Sequence, residues 1–258
     1  MSGMTTSHDA PDSPPAIWAA DLHTLETRWQ GGDAASQADI DEAVLLWRQR
    51  LKQPATSNEE WFDIVDVTGA LLGLTAPRWL AHLTGLRHRV AHVLLTTPQG
   101  LLALQMRAHT KDEWPDHLST TVAGHLKAGQ DWDEGVFSEI QEEIGLAPED
   151  RYRWLAQTQL SPVGRPFEQV GRERDPAHEH GRLPQSDRQV NQIFTGALTA
   201  WGLAHVRFAD GEVDGLYLTA PSEAKRLVDA RDPRIAPGLL GVLPRWWADQ
   251  HRRFHAST

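Results

Sequence analysis

Glu139, Glu142 and Glu143 stand at i, i+3 and i+4 of a segment whose apolar spacing predicts a helix over about 132–145. At that spacing all three carboxylates project from one helix face. Like charges so placed repel unless a cation is drawn between them. A hard divalent ion with oxygen ligands meets that demand and keeps positions for water and phosphate oxygens, and Mg²⁺ fits this description. Such an ion polarises a phosphoryl oxygen and makes hydroxide available near neutral pH. A bare Glu-x-x-Glu-Glu is more often a solvated acidic face, so the flanking residues decide. Asp131 or Asp133 is placed to cap the helix start, Gly145 ends it, and the preceding loop, which contains Gly124, is expected to follow a strand.

The rest of the chain reads as one main domain with additions. Residues 1–15 are rich in Ser, Pro, Asp and Thr and are expected to form a disordered leader. Trp18, Leu22, Leu25 and Trp29 repeat at helical spacing, as do Ile40, Val44, Trp47 and Leu51 after a Gly-Gly-Asp break, which predicts a helical extension over 16–56. From there the pattern turns to short strands, at 61–67, 88–96 and 101–107, the last two joined by a Pro98-Gln99-Gly100 turn. Further strands are expected near 152–160, 189–198 and 212–218, and helices near 220–230 and 238–255. The charged, Gly- and Pro-containing stretch between 160 and 187 reads as a long loop. Strands broken by single helices, with antiparallel turns, predict a mixed α/β or α+β sandwich over 57–232, with a C-terminal helix at 233–258 packed on it.

Composition excludes several chemistries. The 258-residue chain contains no cysteine, which removes disulfides, thiolate metal sites and thiol nucleophiles. Its formal net charge of −10 argues against a grip on a nucleic-acid polymer. No run of about 18 apolar residues is present, so a membrane-spanning segment is not expected and a cytoplasmic location is.

The stretch from Gly124 to Leu146 resembles the Nudix box, whose pattern is Gly, five residues, Glu, seven residues, Arg-Glu, an aliphatic, any residue, Glu-Glu, any residue, Gly, an aliphatic. Gly124, Glu139, Ile140, Glu142, Glu143, Gly145 and Leu146 match at the required spacing; Gln130 replaces the first Glu and Ser138 replaces the Arg. The family's arginine helps to orient the neighbouring carboxylates, and here that cation and the acid are lost together, which leaves no unpaired buried charge behind. Over roughly 60–230 the chain is further similar to the Nudix subgroup that resembles isopentenyl diphosphate isomerase. The similarity is carried by Phe62-Asp63-Ile64-Val65-Asp66, Gly73, Arg78, Leu86-Arg87-His88-Arg89, Gln105-Met106-Arg107, Lys111-Asp112-Glu113-Trp114-Pro115, Val122-Ala123-Gly124-His125 and Gly211-Glu212-Val213.

The resemblance implies a Nudix-type α/β/α sandwich with a mixed sheet and an N-terminal helical extension. It implies Mg²⁺ or Mn²⁺ held by Glu139, Glu142, Glu143 and the Ala123 carbonyl, and a diphosphate gripped by Arg107 and Lys111. His88 and His125 match metal-ligand positions of the isomerase, although single histidines on strands more often serve packing. Isomerase chemistry also uses a cysteine where this chain has Ala123, and acids where it has Asp187 and Gln189. Glu212 reads as a strand-end or turn carboxylate, and His178-Glu179-His180 as a solvated loop. Three functions follow as expectations: metal-dependent hydrolysis of a diphosphate linkage in a nucleoside diphosphate derivative or related organic diphosphate, a weakened Nudix binding module, and an isomerase using another acid. The tryptophan-bearing flanking helices can meet a second copy as readily as their own core, which leaves a homodimer open.

Overall fold

The computed structural model describes residues 16–52, 55–56, 58–111, 113–145, 147–171, 186–209 and 211–256. The leader over 1–15, the His178-Glu179-His180 run and Leu146 lie outside them. Helices α1 (Ala16–Trp29) and α2 (Gln37–Arg50) form where the tryptophan spacing places them. Ser36 starts α2 with a reciprocal cap: its hydroxyl accepts from the Asp39 N–H, and the Asp39 carboxylate accepts from the Ser36 N–H. Leu22, Trp29, Ile40, Val44 and Trp47 are buried against strand β1 (Trp61–Val65), strand β2 (Leu71–Pro77) and helix α3 (Arg78–Thr84), with Phe62, Ile64, Leu80 and Leu83 as partners. β1 and β2 pair antiparallel in a two-stranded sheet of their own.

Strand β3 (His88–Thr96) is the axis of the larger sheet. It lies parallel to β8 (Asp187–Ala197) and antiparallel to β4 (Leu102–Arg107) and β6 (Val122–His125). β4 also carries β5 (Leu118–Ser119) and β9 (Val213–Thr219), and β7 (Ser161–Gly171) pairs with β8 at the opposite edge. A strand covered on both faces does not alternate in polarity, and β3 is buried from His88 to Leu95. Its successive side chains serve opposite layers. Ala91, Val93 and Leu95 join Val136, Phe137 and Ile140 of α4 (Trp132–Ile144) and Trp154 of α5 (Arg151–Thr158). Leu94 joins Leu227 of α7 (Pro221–Asp229) and Leu239, Val242, Leu243 and Trp246 of α8 (Pro237–Ala256), with the short α6 (Ala200–His205) between β8 and β9. The architecture is the α/β/α sandwich with a mixed sheet that the sequence predicts. No helix of the described residues is long and apolar enough to cross a membrane.

Two expectations are corrected. Residues 152–160 are not a strand, since Arg151–Thr158 is α5. Tyr152, Trp154 and Ala156 mimic a strand's alternation, but Tyr152 is 85% exposed and burial falls on Trp154 and Thr158, one helical turn apart. The stretch read as a loop from 160 begins instead with an eleven-residue strand, β7. Pro162, Pro166 and Gly164 suggest a loop, yet an edge strand tolerates proline because one side of its backbone needs no ladder partner. The register shift between Val163 and Phe167 falls at these residues.

Candidate active site

β6 delivers Ala123, Gly124 and His125 beside β3, and a short loop leads from it into α4. The loop is tied down twice: Gly129 N–H donates to Asp63 Oδ2 at 2.8 Å, and Arg89 Nη2 donates to the Gln130 carbonyl at 2.7 Å. Asp131 caps α4 through the Glu134 N–H at 2.8 Å. Gly145 ends it at φ 65°, where a Cβ would also sit 2.2 Å from the Arg207 carbonyl oxygen. So fixed, α4 turns Glu139, Glu142 and Glu143 onto the wall of a cavity of about 500 Å³.

The three carboxylates occupy different environments. Glu139 lies against Gly124, where a Cβ would fall 1.9 Å from Glu139 Oε2, so only glycine admits it. Glu143 is buried and accepts from the Ala123 N–H at 2.9 Å and from Gln105 Nε2 at 3.1 Å. Glu142 is exposed at the rim, where its Oε1 accepts from Lys127 Nζ and Ser138 Oγ, both at 3.0 Å. Burial, with the Glu142 charge added, pushes Glu139 up to about 8, and burial pushes Glu143 well above the usual carboxylate range.

A pH prediction follows. In the folded state Glu139 holds its proton up to about 8, against 4.5 ordinarily, so its stabilising contribution is complete below the lower value and is lost as pH rises through the higher one. The metal-free protein is expected to lose melting temperature between about pH 5 and about pH 9, and saturating Mg²⁺ to flatten that slope by replacing protons. Scanning calorimetry with and without Mg²⁺ measures this; a metal-free melting temperature independent of pH counts against the desolvated carboxylate.

Three imidazoles converge beside the cavity, His82 and His125 on its wall and His88 fully buried behind them. His82 comes from α3, His88 from the start of β3 and His125 from the end of β6, with one potential ligand atom from each lying within 4.8 Å of the others. The Nε2 atoms of all three are buried without a hydrogen-bond partner. His88 Nδ1 lies 3.0 Å from the Leu86 carbonyl, which can only accept, so the proton sits on Nδ1 and Nε2 offers its lone pair. Burial lowers His88 to about 4 and holds His82 and His125 well below the ordinary value, which keeps the rings neutral at physiological pH. Asp187 Oδ1 is 3.4 Å from His88 Nε2 and 3.9 Å from His82 Nε2. Phe62 stacks on His88 (centroids 4.7 Å apart, 22° between planes) and on His125 (5.0 Å, 15°). His92 differs, because its ring nitrogens lie 3.3 Å from Thr120 Oγ1 and 3.0 Å from Asn191 Oδ1.

Arg107 and Lys111 both line the cavity, as do Arg78 and Glu212. Arg107 donates through Nε and Nη2 to the carbonyls of Glu113 and Trp114, and so also holds the loop after β4. Lys111 Nζ pairs with Glu212 Oε2 at 2.8 Å, and Arg78 with Glu60 at 2.7 Å. Glu212, read from sequence as a strand-end carboxylate, precedes β9 and belongs to the cavity wall as well. Sequence reasoning did not single out His82, Lys127 or Glu60, and Phe62 and Gln105 entered it only as residues that carry the family resemblance; no periodicity marks them, although His82 lies six residues before His88 and Lys127 two after His125. The cavity thus presents oxygen donors, nitrogen donors and cations to one volume, an arrangement able to hold a divalent ion and a phosphate-bearing molecule together.

The model of the NUDIX domain matches residues 86–235. YfcD of Escherichia coli K12, described as an uncharacterized Nudix hydrolase, is 30% identical over 198 residues, covering 76% of this chain and 91% of YfcD. Nudix hydrolase 3 of Arabidopsis thaliana is 37% identical over 97 residues, which is 36% of this chain and 12% of that longer protein. The isopentenyl-diphosphate Delta-isomerase of Mycolicibacterium vanbaalenii is 25% identical over 172 residues, covering 61% of this chain and 95% of the isomerase. Among solved structures, DR0079 from Deinococcus radiodurans superposes with a TM-score of 0.51 at 18% identity, over 72% of this chain and 98% of that one, a likeness of fold. With the domain model spanning more than half of its length and YfcD aligned almost end to end, the chain belongs to the Nudix hydrolase family.

Proposed function

We propose that the protein hydrolyses a diphosphate linkage in a nucleoside diphosphate derivative or a related organic diphosphate, with a divalent cation held by Glu139, Glu142, Glu143 and the Ala123 carbonyl. The observation that carries this reading is the desolvated pair Glu139 and Glu143 on a cavity wall shared with Arg107 and Lys111. A buried and a half-buried carboxylate beside each other favour their protonated forms for want of a counter-charge, and their hard oxygens fit Mg²⁺ or Mn²⁺. When bound, such an ion supplies Lewis-acid stabilisation of phosphoryl charge and acidifies water. The residues of the chain do the rest. Glu143 is oriented by the Ala123 N–H and Gln105; Glu139 orients and deprotonates the attacking water; Lys111 and Arg107 meet the diphosphate oxygens. The neutral imidazoles of His82, His88 and His125 fit a borderline transition ion better than Mg²⁺.

The cysteine-dependent isomerase route has no residue to run on, since Ala123 offers no thiol and the chain holds no cysteine. A screen of nucleoside diphosphate derivatives and isoprenoid diphosphates in Mg²⁺ or Mn²⁺, read by phosphate release, tests the proposal, and turnover of at least one class is expected. Tight binding in Ca²⁺ without product over hours in Mg²⁺ would assign a binding module instead. Formation of the dimethylallyl isomer from isopentenyl diphosphate would restore the isomerase.

A further inference from the structure

The glutamate-bearing motif departs from the family at Gln130 and Ser138, and in the structure both departures lie next to Lys127: Gln130 at its backbone, and Ser138 at the carboxylate oxygen that its ammonium also meets. Lys127 stands in the loop between β6 and α4. Its backbone N–H donates to Gln130 Oε1 at 2.8 Å, its Nζ donates to Glu142 Oε1 at 3.0 Å, and Ser138 Oγ donates to that same oxygen at 3.0 Å. We infer that Lys127 is the positioning cation of this site, doing from the loop what the family's arginine does from helix position 138. The inference rests on the hydrolase reading above.

The two departures and Lys127 are consistent with one another. Position 138 lies one turn before Glu142, so an arginine there would face the carboxylate at i, i+4; serine keeps the hydrogen bond but brings no charge. Lys127 returns the charge from outside the helix. Gln130 accepts from the Lys127 N–H through a neutral amide, whereas a glutamate at that place would compete with Glu142 for the ammonium. Both bonds to Glu142 fall on Oε1, and neither uses Oε2. Stability does not explain the pair: the Lys127 side chain is 38% exposed and that of Glu142 49%, and ion pairs so exposed contribute little to folding. What the contact does is hold a rim carboxylate in one orientation.

The test uses the full-length protein with Lys127→Met, Lys127→Arg and the double variant Lys127→Met/Ser138→Arg. Lys127→Met is expected to lower kcat about tenfold with KM near wild type, because orientation and not binding is lost. Ca²⁺ takes oxygen donors, so its calorimetric titration reads the carboxylates apart from the imidazoles, and Lys127→Met is expected to bind it about threefold more tightly, a like charge having been removed beside the ion. Melting temperature should not move. Lys127→Arg should keep kcat within about threefold of wild type, and Ser138→Arg should restore most of what Lys127→Met loses, since both return a cation to Glu142. A kcat for Lys127→Met within twofold of wild type, or a double variant as slow as the single, overturns the inference. Should the wild type turn over no diphosphate, the hydrolase reading fails and the Ca²⁺ titration alone decides the lysine: tighter binding sustains it, unchanged or weaker binding overturns it.

Discussion

Glu143→Gln is expected to lower kcat by about three orders of magnitude in saturating Mg²⁺, on the scale seen when one member of a catalytic group is removed. The substitution keeps the size of the side chain. Its amide oxygen can still accept from the Ala123 N–H, so the junction of β6 and α4 is retained. What disappears is a buried carboxyl that can take up a negative charge; burial favours its neutral acid in the metal-free protein, and the neutral amide matches that form. The metal-free variant should therefore melt at the wild-type temperature or above it, while turnover collapses. Steady-state kinetics and a melting curve on one preparation separate the two effects. Turnover within tenfold of wild type, in a folded protein, would remove Glu143 from the machinery and with it the metal assignment for this face of α4.

The second large effect concerns the imidazoles. His88→Ala or His125→Ala should weaken Co²⁺ binding by about a hundredfold or more, since each deletes a nitrogen donor from a small set. The visible absorption of Co²⁺ reports the ligand field directly and needs no substrate. Ca²⁺ binding at the carboxylates should be little changed, because Ca²⁺ takes oxygen donors. Phe62→Leu belongs to the same series: it leaves every donor in place but removes the ring stacked on His88 and His125, and an intermediate weakening of Co²⁺ binding is expected. Three variants with wild-type Co²⁺ spectra and affinities would leave the imidazoles as a packing cluster with unused nitrogens.

How much of this was legible beforehand follows from the distance over which each feature is determined. The face shared by Glu139, Glu142 and Glu143, the cap at Asp131, the stop at Gly145 and the buried run of β3 depend on neighbours within a turn or a pleat. Residues that close interact in any fold that forms the element, so sequence spacing sufficed. The reading of 152–160 failed for the converse reason. An alternation of aromatic and polar residues is compatible with either period, and the choice was made by Trp154 finding the core cluster under α4.

By itself, then, the sequence determined that an acidic helix face would follow a glycine-bearing loop, that no thiol chemistry was open, and which family pattern the chain carries. Only the tertiary structure decided that His82, His88 and His125 meet, that Phe62 from a separate small sheet packs their rings, and that Lys127 reaches Glu142. These contacts join residues from different elements, set by β6 lying beside β3 with His125 opposite Val90 and by α3 packing against β1 and β8. No local propensity encodes such a register; it comes from the burial of two cores at once.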